Sequence, residues 1–261
     1  MMNIILTTYL VGLIFFIFLW LVSLYTKKSS VIDIGWGFHF SIISIFYTTY
    51  YSLNLSLKHG IILFLILAWS CRLGCYLLIR YIHENKEDKR YEKIKKEWSA
   101  TNISFIKMFV FQSFIASSLS FPFYYLLSNP ISNDLLFSLG SSLMLLSLVL
   151  ESVADFQLFK FKKDKNNKGK VCNRGLWAFS RHPNYFFEWM VWVSISIISM
   201  SIDLKGAFSL YAVVFMYTTL NHISGIPFLE EDARNGIFKK EGEEEYFKNT
   251  PAFFIDLKKL I

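Results

Sequence analysis

Residues 60–98 read GIILFLILAWSCRLGCYLLIRYIHENKEDKRYEKIKKEW. The first part is almost wholly apolar and long enough to cross a hydrocarbon core, which takes about 20 such residues. From His83 onward the chain is crowded with Lys, Arg and Glu. An apolar run that gives way so sharply to charge reads as a helix leaving a bilayer into a cytoplasmic loop. Working outward, comparable runs recur and predict spans at about 4–25, 31–53, 58–82, 104–127, 134–158, 184–203 and 206–223. Composition agrees: 54% of residues are hydrophobic and 18% charged, against roughly 25% charge in a soluble domain. The expected fold is all-α, a polytopic membrane helix bundle of about seven transmembrane helices forming a single domain. The first run is longer than a signal core, follows no basic residue and precedes no small-residue cleavage site, so it reads as a retained helix.

Basic residues give the orientation. With the N-terminus outside, the odd-numbered loops and the C-terminal tail lie in the cytoplasm. They hold 24 of the 27 Lys and Arg residues, from Lys27 to Lys259, leaving Lys58 and Lys205 outside and Arg72 within a span. Lys and Arg concentrate on the cytoplasmic side, so the alternation predicts an outside N-terminus and a cytoplasmic C-terminus. The net charge of +7 is then a topology signal and a means of meeting lipid headgroups; no nucleic-acid partner is expected. Residues 83–103 read as a surface helix continuing out of the third span, with i, i+4 Glu/Lys pairs. Residues 160–183 read as a basic turn that re-enters the membrane at Pro183, a residue suited to a first helical turn.

Five ionisable residues fall inside spans: Asp33, Arg72, Glu151, Asp155 and Glu188. Each costs about 2.5–3.5 kcal/mol at a bilayer centre, so they are expected to face the bundle interior. Arg72 is the one cation among them. Arg72, Tyr76 and Arg80 recur at four-residue spacing on one helix face, as do Glu151 and Asp155, and Asn184 and Glu188. The three faces predict a polar cavity open to the cytoplasm and suited to a charged ligand. His39 and His222 read as satisfied polar groups, His59 and His83 as solvated ones. Cys71, Cys75 and Cys172 have no metal-ligand spacing, and no metal is expected. There is no GxGxxG, P-loop or GxSxG signature; Gly35-Trp36-Gly37 lies within a span.

The run from Glu151, Asp155, Gln157 and Lys162 through Asn173-Arg174-Gly175-Leu176-Trp177 and Ser180-Arg181-His182-Pro183-Asn184-Tyr185 to Glu188, Trp189 and Trp192 resembles the steroid 5-alpha-reductase superfamily. It is most similar to the DUF1295 branch. Val31-Ile32-Asp33-Ile34-Gly35-Trp36-Gly37, the run Trp69, Arg72, Leu73, Gly74 and Tyr76, and the terminal Gly225-Ile226-Pro227, Leu229-Glu230-Glu231, Tyr246 and Thr250-Pro251-Ala252-Phe253 fit as well.

The resemblance implies a seven-span enzyme in which NADPH enters from the cytoplasm and reduces an activated C=C bond of a lipophilic, steroid- or lipid-like substrate. It implies a cofactor-binding half at about 145–261. Arg72, Glu151, Asp155, Lys162, Arg174, Arg181, His182, Asn184, Tyr185 and Glu188 would hold the cofactor, with Asp33 and Tyr76 as catalytic candidates. Trp69 stands where steroid-reducing members carry a substrate-binding tyrosine, and Phe187 where the family often has Gly. Membrane lipids are the other expected partner. The bacterial inner membrane is the preferred location, or the endoplasmic reticulum in a eukaryote.

Two alternatives stay open. Membrane methyltransferases of the isoprenylcysteine carboxyl and phospholipid types share an RHPxY stretch and a later Glu-Glu, here Arg181–Tyr185 and Glu230-Glu231, with S-adenosylmethionine in the same position. The third is a non-enzymatic lipid-binding protein.

Overall fold

The computed structural model describes residues 3–51, 53–84, 86–256 and 258; Lys259, counted above with the tail, lies outside them. The described residues are helical, with a lone bridge between Lys170 and Glu241 and no strand. The chain divides into two compact units, Met1–Ile131 and Ser132–Ile261.

The first unit contains α1 (Ile4–Thr26), α2 (Val31–Tyr50), α3 (Leu57–His83), α4 (Lys89–Glu97), α5 (Ile106–Ser118) and α6 (Phe121–Ser128). Asn3 caps α1 by accepting from Ile5 N at 2.9 Å. Helices α2 and α3 cross where Gly37 meets Gly74, and a Cβ on Gly37 would stand 2.3 Å from Gly74 Cα. At the crossing Ser70 Oγ donates to Gly37 O at 2.5 Å and accepts from Ser41 N at 2.9 Å. Apolar helices associate in lipid through such small residues and hydrogen bonds, because lipid tails offer no hydrophobic drive. The expected span at 104–127 is two helices. Pro122, in the first turn of α6, has no N–H to continue α5, although Ile106–Ser128 remains one apolar stretch.

The loop after α3 corrects the expectation of a helical extension. Helix α3 stops at His83, Glu84 turns extended, and α4 folds back onto the start of α2. Glu87 accepts from Ser29 N at 2.7 Å and from Ser30 N at 3.0 Å, filling donors that a helix start leaves open. Tyr91 OH donates to Asp33 Oδ1 at 2.5 Å and Arg90 Nη2 to Asp33 Oδ2 at 2.8 Å. His59 is buried rather than solvated: its Nδ1 accepts from Ser56 N at 3.0 Å, and its Nε2 donates to Asn129 O at 2.9 Å.

The second unit contains α7 (Asp134–Lys163), α8 (Pro183–Met200), α9 (Leu210–Thr218), α10 (Ile226–Leu229), α11 (Glu231–Arg234) and α12 (Glu243–Asn249). Helix α7 outruns the expected 134–158 window, carrying Lys160, Lys162 and Lys163 on its last turn. Helices α7 and α8 pack closely at Gly140, whose added Cβ would stand 2.6 Å from Ile198 Cγ1. Trp189 Nε1 donates to Val213 O at 3.1 Å, joining α8 to α9.

Six stretches among the described residues are long and apolar enough to cross a membrane: Ile4–Thr26, Val31–Tyr50, Leu57–His83, Ile106–Ser128, Asp134–Lys163 and Leu204–Leu229. The expected sixth span, now α8, is not among them. Asn184, Tyr185, Glu188 and three serines dilute its apolarity, and ten of its eighteen residues are buried. A helix shielded by its neighbours has less need of lipid-like side chains.

Candidate functional site

In the second unit the two expected polar faces meet. Helix α7 presents Glu151 and Asp155, and α8 presents Asn184 and Glu188; all three carboxylates are buried. Asn184 Nδ2 donates to Asp155 Oδ1 at 3.1 Å, linking the helices. Trp192 Nε1 donates to Glu188 Oε1 at 3.2 Å from the next turn of α8. Asn184 Oδ1 is buried without a hydrogen-bond partner among the described residues, so one acceptor faces the interior unused. Beside this pair, the 3-10 turn Gly175–Ala178 is fixed to α7. Trp177 Nε1 donates to Ala154 O at 2.9 Å and Leu176 N to Gln157 Oε1 at 2.9 Å. Gly175 sits at φ +57°, and a Cβ there would stand 2.5 Å from Gln157 Nε2, so glycine alone suits this turn. Lys162 and Arg174 are exposed nearby in the chain.

Arg181 and His182 make a second cluster. Arg181 Nε and Nη2 donate to Glu230 Oε1 and Oε2 at 2.7 and 3.0 Å, a two-pronged pair. Arg181 Nη1 donates to Phe247 O at 2.7 Å and Thr250 O at 2.5 Å. His182 Nε2 and Glu230 Oε1 are 2.9 Å apart. The Arg181 and Glu230 side chains are only 12% and 7% exposed. Burial would push the Glu230 carboxyl up, but the hydrogen bonds and charges of His182 and Arg181 outweigh it and hold the group at about 2. Tyr246 OH donates to Trp177 O at 2.5 Å, and burial pushes its phenol above the ordinary range. Tyr185 stacks on the His182 ring.

Arg72, Tyr76 and Asp33 belong to the first unit. Arg72 is half-buried on α3 and Tyr76, one turn on, is exposed. Asp33 is no lone intramembrane acid: its cation comes from the loop, not from Arg72. Burial alone would depress the Arg90 guanidinium, yet the Asp33 and Asp88 carboxylates raise it above its usual range. Burial, reinforced by the Asp33 charge, pushes the Tyr91 phenol well up, keeping it a donor. Arg80, the third member of that face, pairs with Glu84 at 2.7 Å and Asp88 at 3.1 Å.

Sequence reasoning missed Glu230, Tyr246 and Arg90 as site-building residues. Glu230 lies 49 positions from Arg181, beyond any helical periodicity. The available signals were the Glu230-Glu231 doublet and the place of Tyr246 in the terminal run. A concavity of about 550 Å3 in the second unit opens on the tail between Phe238, Lys240, Glu243 and Lys248, and none of the α7 or α8 carboxylates lines it.

A family described as "Protein of unknown function (DUF1295)" matches residues 19–250. "Uncharacterized protein C594.04c" of Schizosaccharomyces pombe is 29% identical over 205 residues, 67% of this chain and 59% of that protein. The chain thus spans about three fifths of the length of the curated relative it matches. No solved structure matches it.

Proposed function

We propose that this chain, which belongs to the DUF1295 family, is an NADPH-dependent membrane oxidoreductase that reduces an activated C=C bond of a lipophilic substrate. The observation that carries the reading is the Asp155–Asn184 hydrogen bond, which gathers buried carboxylates from two helices into one polar interior. Intramembrane charges are costly and mark function by default.

The donor set fits the cofactor. Glu151, Asp155 and Glu188 are acceptors for ribose hydroxyls and a carboxamide, and the unused Asn184 Oδ1 adds another. Lys162 and Arg174, both exposed, supply cations for phosphates. Bound NADPH would supply the hydride. The chain would bind and orient it, with Trp177 and Trp192, both buried, excluding water. Tyr185 would flank it. Of the two candidates for stabilising charge on a substrate carbonyl, Asp33 is engaged with Arg90 and Tyr91, so the reading gives donation to Tyr76 and a fastening role to Asp33. It assigns Arg72 to the cofactor by resemblance.

The same reading takes α8 as a seventh span, N-terminus outside and C-terminus cytoplasmic, supported by the placing of 24 of 27 basic residues. The steroid 5-alpha-reductase-like chemistry rests on the motif resemblance.

The test is ligand-induced thermal stabilisation of the purified full chain. NADP(H) should raise its unfolding temperature, and Asp155→Ala and Glu188→Gln should abolish the shift. Stabilisation by S-adenosylhomocysteine with none by NADP would overturn the reading in favour of methyl transfer.

A further inference from the structure

The tail does more than end the chain. Trp177, Phe179, Ser180, Arg181 and His182 each make a side-chain or backbone contact with residues between Glu230 and Asp256 of the tail. Trp177 O and Ser180 O accept from Tyr246 OH at 2.5 and 3.2 Å. Phe179 O accepts from Asp256 N at 2.9 Å. Ser180 Oγ donates to Phe253 O at 2.9 Å, and Arg181 N to Pro251 O at 2.9 Å. Arg181 and His182 both reach Glu230. On the far side of the same segment, Phe253 and Phe254 pack edge-on against Phe186 and Trp189 of α8.

These bonds converge on the residues immediately before Pro183, where α8 begins. Asn184, one residue further, is the group that reaches Asp155. The first N–H groups of a helix have no partner within it, while at this start His182 O accepts from Phe186 N at 3.2 Å. The segment leading into α8 is also held from outside, by Glu230 through Arg181 and His182.

We infer that Glu230 and Arg181 are positioning residues that set the first turn of α8, and with it the Asn184–Asp155 pair, without themselves touching a ligand. Arg181 supports this directly: four of its hydrogen bonds go to protein acceptors, and the Phe247 ring lies 4.0 Å from its Cζ. The inference rests on the reading of the α7–α8 carboxylates as a cofactor site, but its structural half stands apart from that reading.

The experiment compares Glu230→Gln and the milder Tyr246→Phe with Phe254→Ala, which loosens the tail's aromatic packing while leaving the Arg181–Glu230 pair intact. Hydrogen exchange of the ligand-free full chain should quicken about tenfold over residues 183–188 in Glu230→Gln, less in Tyr246→Phe, and stay unchanged over residues 134–150. NADPH, followed by its fluorescence, should bind about tenfold more weakly to Glu230→Gln and within about twofold of the unaltered chain to Phe254→Ala. Unchanged exchange at residues 183–188 overturns the inference. So does an equal loss of affinity in Phe254→Ala at matched thermal stability, which would reduce the pair to general stabilisation. An unaltered chain that binds no NADPH, with quickened exchange in Glu230→Gln, leaves the positioning role standing and overturns the cofactor reading alone.

Discussion

Replacing Gly37 by alanine adds one carbon at a point in the first unit where two helix backbones meet. That carbon would stand 2.3 Å from Gly74 Cα and 2.4 Å from Gly74 N. Both are backbone atoms, so no side chain can swing away, and carbon atoms settle at about 3.5–4.0 Å. Helices α2 and α3 must part by more than about 1 Å, which a close-packed interface resists at about 1–3 kcal/mol. Parting also strains the Ser70 bridge to Gly37 O and Ser41 N, worth about 1 kcal/mol more. The expected loss is about 2–4 kcal/mol. Gly60→Ala is the control: it lies in α3 with nothing within 4 Å of an added Cβ, and alanine is the better helix former by about 1 kcal/mol. Denaturation of the full chain in detergent should rank Gly60→Ala at or above the unaltered chain and Gly37→Ala well below it. Equal stability of the two variants would refute the crossing as a backbone contact.

Two further outcomes follow from the ion pairs. Glu230 is depressed from 4.5 to about 2, so its contribution is fully present above pH 4.5 and disappears as pH falls through about 2. The stability gap between the unaltered chain and Glu230→Gln, measured by acid titration, should be constant at neutral pH and close across that window; a gap that persists below it would rule out the carboxylate as its source. Asp33→Asn should cost about 1–3 kcal/mol by weakening the Arg90 and Tyr91 links to α2, with Arg90 left to Asp88 at 2.9 Å, and should make residues 86–97 cleave faster in limited proteolysis. Cleavage at the unaltered rate would mean that α4 is held by other contacts.

Much of this architecture was legible because apolar run length and four-residue spacing are local properties. They placed α1, α2, α3 and α7 and put Glu151 and Asp155 on one face. Locality also explains the misses. Pro122 divides an apolar stretch that hydropathy sees as continuous. Helix α8 is too polar for a lipid-facing span because its neighbours cover it. The charges at 84–97 suggested a solvated extension, whereas Glu87, Arg90 and Tyr91 are turned back on α2. Arg72 is the one cation for four carboxylates when spans alone are read, whereas the cation that meets Asp33 comes from α4. The partners of the Arg181 side chain lie from 49 to 69 residues away, a separation that no periodicity encodes.

The pairing of Asp33 with Arg90 also has a bearing on biosynthesis. The two residues are 57 positions apart, and a ribosome adding about 5–20 residues per second needs about 3–11 s to make the intervening chain. For that interval α2 is present with an acid in its first turn and without Arg90, which meets it in the finished chain. Early settlement of α2 in the membrane must then rest on its contacts with α1 and α3, the Gly37–Gly74 crossing among them. A nascent chain arrested short of Arg90 would carry an unanswered carboxylate at a helix entrance, a mark by which an unfinished product differs from a finished one.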